Sequence, residues 1–224
     1  MKTHSPVFSA GVLALALFAP AFTAGAAQAA TTVLDEGFND VNSLAGWSQY
    51  NFSLPQGQGW FQGNAGVFGA QAGNSDSYIA TSYLAADNGM GSVDSWLVSP
   101  LLNLTGTTVV SFFSRAGGTP GYSDQLELRF DNNLGSFDTV LATVGGLTPY
   151  PGSWSAYSAT LNVDGAGRLA FRYVGDAAAL DYIGIDSVNV LTAVPEPSSW
   201  LMLVLGLAGL AAAGNAAALR RTFN

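Results

Sequence analysis

Gln125-Leu126-Glu127-Leu128-Arg129-Phe130 alternates polar and apolar side chains without a fault. A strand sends successive side chains to opposite faces, so the run predicts Leu126, Leu128 and Phe130 inside and Gln125, Glu127 and Arg129 in water. Arg168-Leu169-Ala170-Phe171-Arg172-Tyr173 nearly repeats the pattern, and 107–115 is rich in Val and Phe, which suit a pleated surface. Further candidate strands are 33–38, 47–52, 60–62, 77–83, 96–99, 139–144, 155–163 and 182–191. Gly117-Gly118, Pro120-Gly121, Asn132-Asn133, Gly145-Gly146 and Pro151-Gly152 punctuate them as turns. No window of about twelve residues inside 30–193 shows helical periodicity. About ten short strands in one domain of ordinary size predict an all-β fold, an antiparallel two-sheet sandwich of jelly-roll type.

The residue types narrow the chemistry. All 15 acidic residues lie between Asp35 and Glu196, where the only basic residues are Arg115, Arg129, Arg168 and Arg172. The net charge of that region is −11, which argues against nucleic acid and anionic lipid as partners. Divalent cations and neutral glycans fit the charge. The single His4 and single Lys2 sit in the first four residues, and the chain has no cysteine. The region from Ala30 onward therefore holds no Ser-His-Asp or Cys-His nucleophile, no His- or Cys-ligated zinc and no Schiff-base lysine. Carboxylates and tyrosines are left for acid–base work.

The two ends read as addresses. Met1-Lys2-Thr3-His4 is a short basic start, 7–22 is mostly apolar, and Ala27-Gln28-Ala29 supplies a small-residue cleavage site. Residues 1–29 are expected to be a signal peptide, cut before Ala30. At the other end Val194-Pro195-Glu196-Pro197-Ser198-Ser199 precedes an apolar run over 200–219, closed by Arg220 and Arg221. The prolines keep the motif extended. Twenty residues make a helix of about 30 Å, the thickness of a bilayer's hydrocarbon core, and the arginines are expected to stop it on the cytoplasmic side.

Motif, span and basic end, in that order, resemble the PEP-CTERM sorting signal of Gram-negative bacteria. The resemblance implies export through the Sec machinery, a transient hold in the inner membrane, and recognition at Pro195-Glu196-Pro197 by an exosortase that removes the tail. It further implies a place at the cell surface or in the extracellular matrix, beside exopolysaccharide and biofilm. The organisation expected is signal peptide 1–29, sandwich 30–193, and sorting signal 194–224 with a membrane helix at 200–219.

A second resemblance rests on eight pieces in order: Glu36-Gly37-Phe38, Gly46-Trp47, Gly59-Trp60-Phe61-Gln62-Gly63, Ser77-Tyr78-Ile79-Ala80, Trp96-Leu97-Val98-Ser99-Pro100, Phe112-Phe113-Ser114-Arg115, Asp124 through Arg129, and Tyr182-Ile183-Gly184-Ile185-Asp186. Together they resemble the choice-of-anchor J domain, similar to cleaved-adhesin and MAM-type jelly rolls. No enzymatic activity is implied.

Two candidate sites follow. Glu36 ends the first strand and Asp186 lies in the last, and these strands neighbour each other in a jelly roll. The two carboxylates, with Asp35, Asn39, Asp40 and Asp181 in reach, are expected to offer a structural calcium site, which the resemblance also makes plausible. The bland alternative is a rim of solvated acids and caps. The aromatics Trp47, Trp60, Trp96, Trp154, Tyr50, Tyr83, Tyr122 and Tyr150 are the second set. Strand tryptophans more often belong to the core, while Tyr122 and Tyr150 stand in Gly/Pro-rich loops as glycan contacts. Arg115 and Asp124, bracketing the loop 117–122, are expected to pair across a hairpin. The chain is thus read as a non-enzymatic surface or matrix protein. A carbohydrate-binding module, a carboxylate-based glycosidase or lyase, and a self-associating matrix protein are the alternatives.

Overall fold

A computed structural model describes residues 29–194 and 205–209. The signal peptide and the sorting residues Pro195, Glu196, Pro197, Arg220 and Arg221 lie outside the described residues. Of the expected membrane helix only 205–209 is described, and it is helical. Among the described residues no helix is long and apolar enough to cross a membrane.

Twelve strands follow one another: β1 (Ala30–Glu36), β2 (Ser48–Asn51), β3 (Phe61–Gln62), β4 (Ile79–Ser82), β5 (Ser92–Val98), β6 (Leu102–Leu104), β7 (Thr107–Ala116), β8 (Gln125–Asp131), β9 (Thr139–Gly145), β10 (Ser155–Asn162), β11 (Gly165–Asp176) and β12 (Tyr182–Ala193). They form two six-stranded antiparallel sheets. The first runs β10-β7-β12-β4-β3, with β1 also on β12, and the second runs β2-β5-β11-β8-β9, with β6 on β11. The all-β sandwich is as the alternation predicts. Differences lie at the ends. β1 stops at Glu36 because Phe38 takes a left-handed φ of 51°, and Tyr83–Ala85 leaves β4 as a 3-10 turn. The short β6 carries too few residues to show a period.

The core lies between the sheets. Leu126, Leu128 and Phe130 are buried, while Gln125, Glu127 and Arg129 face outward, so the period-2 reading of β8 holds residue by residue. Phe112 of β7 meets Phe171 of β11 edge to face at 5.1 Å, one sheet against the other. Each such ring stabilises the fold by about 1.5–3 kcal/mol on burial.

β12 is the central strand of the first sheet. β7 pairs along one edge, and β4 and β1 share the other. Between those two partners the register shifts, and Ser187 takes φ 52°. Asp186 keeps the outer face that alternation gives it after Ile183 and Ile185, and the bulge turns Val188, two residues on, into the core. Over that outer face lies the segment 63–77, whose Phe68 packs on Tyr78 at 4.9 Å and edge-on against Trp154 at 5.5 Å. The close approach requires glycine beneath: a Cβ on Gly184 would stand 2.8 Å from the Tyr78 ring and 3.0 Å from Phe68. The chain enters and leaves at one point, where the Val194 amide donates to the Ala29 carbonyl at 2.8 Å.

Candidate functional site

The outer face of the second sheet is open, and its side chains come from four adjacent strands. The registers set Tyr50 opposite Trp96, Trp96 opposite Arg172, and Arg172 opposite Glu127. Residues directly opposite in antiparallel strands share a face, so these four form one row across β2, β5, β11 and β8. Two residues along β2, beyond the strand's end, Phe52 lies parallel to Tyr50, ring centroids 6.2 Å apart and planes within 2°. The two rings are 51% and 62% exposed, unusual for large apolar side chains held in parallel.

Trp96 is held from several sides. Its Nε1 donates to Asp94 Oδ1 at 2.6 Å, and the Arg172 and Arg129 guanidiniums lie 5.1 and 5.8 Å from its ring. Arg172 grips Asp94 with two bonds, Nε to Oδ1 at 2.7 Å and Nη2 to Oδ2 at 3.0 Å. It also reaches Glu127 Oε2 at 3.3 Å, which Arg129 Nε meets at 2.7 Å. Burial alone would raise the Glu127 carboxyl, but the two arginines outweigh it and hold the group below the ordinary carboxylate range. The network is therefore ionised and charge-balanced, and it keeps the indole in one orientation.

Beside it opens a cleft of about 650 Å³, lined by Tyr50, Phe52, Trp96, Phe137 and Arg168. Asp131 shapes the rim, its two oxygens accepting the Leu134 and Gly135 amides at 2.9 and 3.2 Å. Arg168 gives one bond to the Ser99 carbonyl at 2.9 Å and, among the described residues, forms no ion pair. Its side chain lines the cleft. Flat rings beside fixed donors and acceptors suit a ligand with apolar ring faces and hydroxyl edges.

The residues expected from the sequence fall elsewhere. β1 and β12 do pair, but Glu36 stands opposite Val188, which the bulge turns to the core, while Asp186 lies on the outer face. Asp186 Oδ2 accepts the Gln71 and Ala72 amides at 2.8 and 3.1 Å, and Oδ1 accepts the Ser187 amide at 2.6 Å. Burial raises its carboxyl above the ordinary range, with those amides pulling the other way. Glu36 Oε1 accepts the Phe38 amide at 2.8 Å, and Asp40 caps the turn Val41–Ser43. Among the described residues no three carboxylates or imidazoles converge as they would around a metal ion.

Tyr122 and Tyr150 do line one small cleft, of about 260 Å³. Tyr122 is exposed, but Tyr150 lies against the core and its hydroxyl meets the buried Ser114 Oγ at 2.5 Å. Burial holds that hydroxyl well above the ordinary tyrosine range. Arg115 and Asp124 do not pair. Arg115 stacks on Phe68 at 4.2 Å and donates to the Gly152 carbonyl at 2.7 Å, whereas Asp124 is sealed inside and accepts the Tyr173 hydroxyl at 2.5 Å and the Asp181 amide at 2.9 Å. Trp47 and Trp60 belong to the core, as strand tryptophans usually do. Phe52, Glu127 and Arg172 escape a sequence reading. The outward positions of β8 and β11 carry the signal, but only the pairing of those strands brings them together.

Residues 193–221 match the model of the PEP-CTERM protein-sorting motif. The fold is similar to the K3 cleaved adhesin domain of the Lys-gingipain Kgp from Porphyromonas gingivalis W83, with 22% identity, TM-score 0.56, and coverage of 74% of this chain and 100% of that one. The K1 cleaved adhesin domain of the same protein gives 23%, 0.56, 74% and 99%. No curated protein matches the chain. The chain is thus an exported protein that carries a PEP-CTERM sorting motif behind a jelly-roll sandwich of cleaved-adhesin shape.

Proposed function

We propose that the protein is a non-enzymatic component of the cell surface or extracellular matrix that holds a neutral exopolysaccharide on the outer face of its second sheet. An exosortase acts on the Pro195-Glu196-Pro197 region, and the apolar tail is a transient hold in the inner membrane. The carrying observation is the open cleft where Tyr50, Phe52 and the braced Trp96 present rings beside the donors of Arg168. Charge supports a neutral ligand, because the arginines beside Trp96 are already matched by Glu127 and Asp94 and the domain as a whole repels polyanions.

A glycosidase needs a protonated acid in the cleft. Glu127 is held ionised, and the two carboxyls that burial raises, Asp124 and Asp186, are 2% and 0% exposed. These facts favour binding over hydrolysis. Affinity electrophoresis of the mature protein through gels containing the producing strain's exopolysaccharide, or neutral glucans, tests the reading. Retardation that is lost in Trp96→Ala is expected. Migration unchanged by every polysaccharide would overturn it, and release of reducing ends would restore the hydrolase.

A further inference from the structure

The open face does not end at the cleft beside Trp96. A second cleft, of about 590 Å³, adjoins it and shares Phe52, continuing over Leu54, Asp94, Arg172 and Val174. Tyr50, Phe52 and Leu54 alternate along one line, and Leu54 bridges to Ser92 at the start of β5. Leu54 is 70% exposed, so apolar exposure rises along the line. The outward positions of β5 from Ser92 to Val98 span roughly 20 Å at the rise of a strand. Along that floor the rings of Tyr50, Phe52 and Trp96 stand beside the Asp94–Arg172 pair.

We infer that the two clefts form one continuous groove that takes an internal segment of a linear neutral polysaccharide, several sugar rings long, rather than a chain end or a single sugar. The inference rests on the glycan reading above and adds the length and polarity of the bound segment. Phe52 is the hinge of the argument: it belongs to both clefts, so a ring stacked there has neighbours on both sides. A pocket for one sugar would be a single closed hollow; here two clefts of about 650 and 590 Å³ meet at one ring.

Size-fractionated oligosaccharides of about one to six units, prepared from the producing strain's exopolysaccharide and from linear glucans, test it by isothermal titration with the mature protein. Affinity is expected to rise at least tenfold between two and five units and then level off. Capping the reducing end should leave the longer fragments unaffected. Leu54→Ser, at an exposed position that leaves the melting temperature unchanged, should weaken only the longer fragments, and Phe52→Ala should flatten the length dependence. Equal affinity from one unit upward, or strong dependence on a free end, overturns the groove while leaving glycan binding in place. No binding at any length removes the glycan reading itself.

Discussion

Both outer faces of the sandwich set an arginine over an aromatic ring. On the first sheet Arg115 lies 4.2 Å from the Phe68 ring, and on the second Arg172 lies 5.1 Å from Trp96. The first is covered by the chain's own segment 63–77, pinned by Asp186, by Trp154 Nε1 donating to the Gly69 carbonyl at 2.8 Å, and by the Tyr78 hydroxyl. The second carries only the short loop around Phe137, which packs on Trp96 at 5.7 Å and accepts from Arg129 at 2.8 Å, and leaves Tyr50 and Phe52 exposed. The same chemistry therefore serves as packing on one side and as an exposed surface on the other. On the first face Gly184 in the sheet and Gly63 in the cover let rings lie directly on the backbone.

Uncovering the first face is expected to produce the largest effect. Asp186→Ala leaves three part-buried amides without their acceptor and should destabilise the domain by about 1–3 kcal/mol, read as a lower midpoint in urea. Limited proteolysis should then cut within 63–77 first. A variant as stable as the parent would show that the cover is held by its aromatics alone. Gly184→Val attacks the same cover from below and should cost about 1–3 kcal/mol through overpacking against Tyr78.

Removing rings from the open face should do the reverse. Tyr50→Ala with Phe52→Ala is expected to change stability by less than about 0.5 kcal/mol, as exposed substitutions do. It should lower glycan affinity by about tenfold, as loss of a contact centre does. A large loss of stability with unchanged binding would make this face packing after all.

The pH response separates the buried carboxyls from the open face. Asp124 and Asp186 are held above their ordinary value of 3.8 by burial, so their favourable contribution is complete below about pH 4 and is lost as pH rises through the folded value. Glu127 on the open face is held below 4.5, so its contribution is present at neutral pH and is lost on acidification. Denaturation at pH 4 and 7 should show a smaller gain, or a loss, at pH 4 in Asp124→Asn relative to the parent. An identical difference in both proteins would sink the assignment.

Calcium is expected to have the smallest effect. The Asp186 oxygens are taken by amides, so calcium at millimolar concentration should move the melting temperature by less than about one degree. A rise that disappears in Asp186→Asn would restore a calcium site at Glu36 and Asp186.

The architecture was legible because period 2 is a local signal. Leu126, Leu128 and Phe130 could only face inward together, and the tail motif is contiguous. The neighbouring of first and last strands was also legible. Not legible was that Glu36 and Asp186 stand on opposite faces, because the bulge at Ser187 shifts the alternation between Asp186 and Val188, the partner of Glu36. The open face was half visible: Trp96 and Tyr50 stood among the aromatics, but nothing in the order of the chain shows that β11 separates β5 from β8. Tyr150 looked exposed by its Pro/Gly neighbours, yet Ser114, far earlier in sequence, draws its hydroxyl inward.

The bond between Val194 and Ala29 bears on mechanics. On the proposed reading, tension between the sorting-motif end and a polysaccharide on the second sheet would enter the domain at the end of β12. That strand is hydrogen-bonded on both edges, to β7 on one side and to β1 and β4 on the other. A pull along its axis must shear many bonds together rather than open them one by one, and forced unfolding is governed by that barrier rather than by equilibrium stability. The point of attachment and the most laterally supported strand of the first sheet are the same piece of chain.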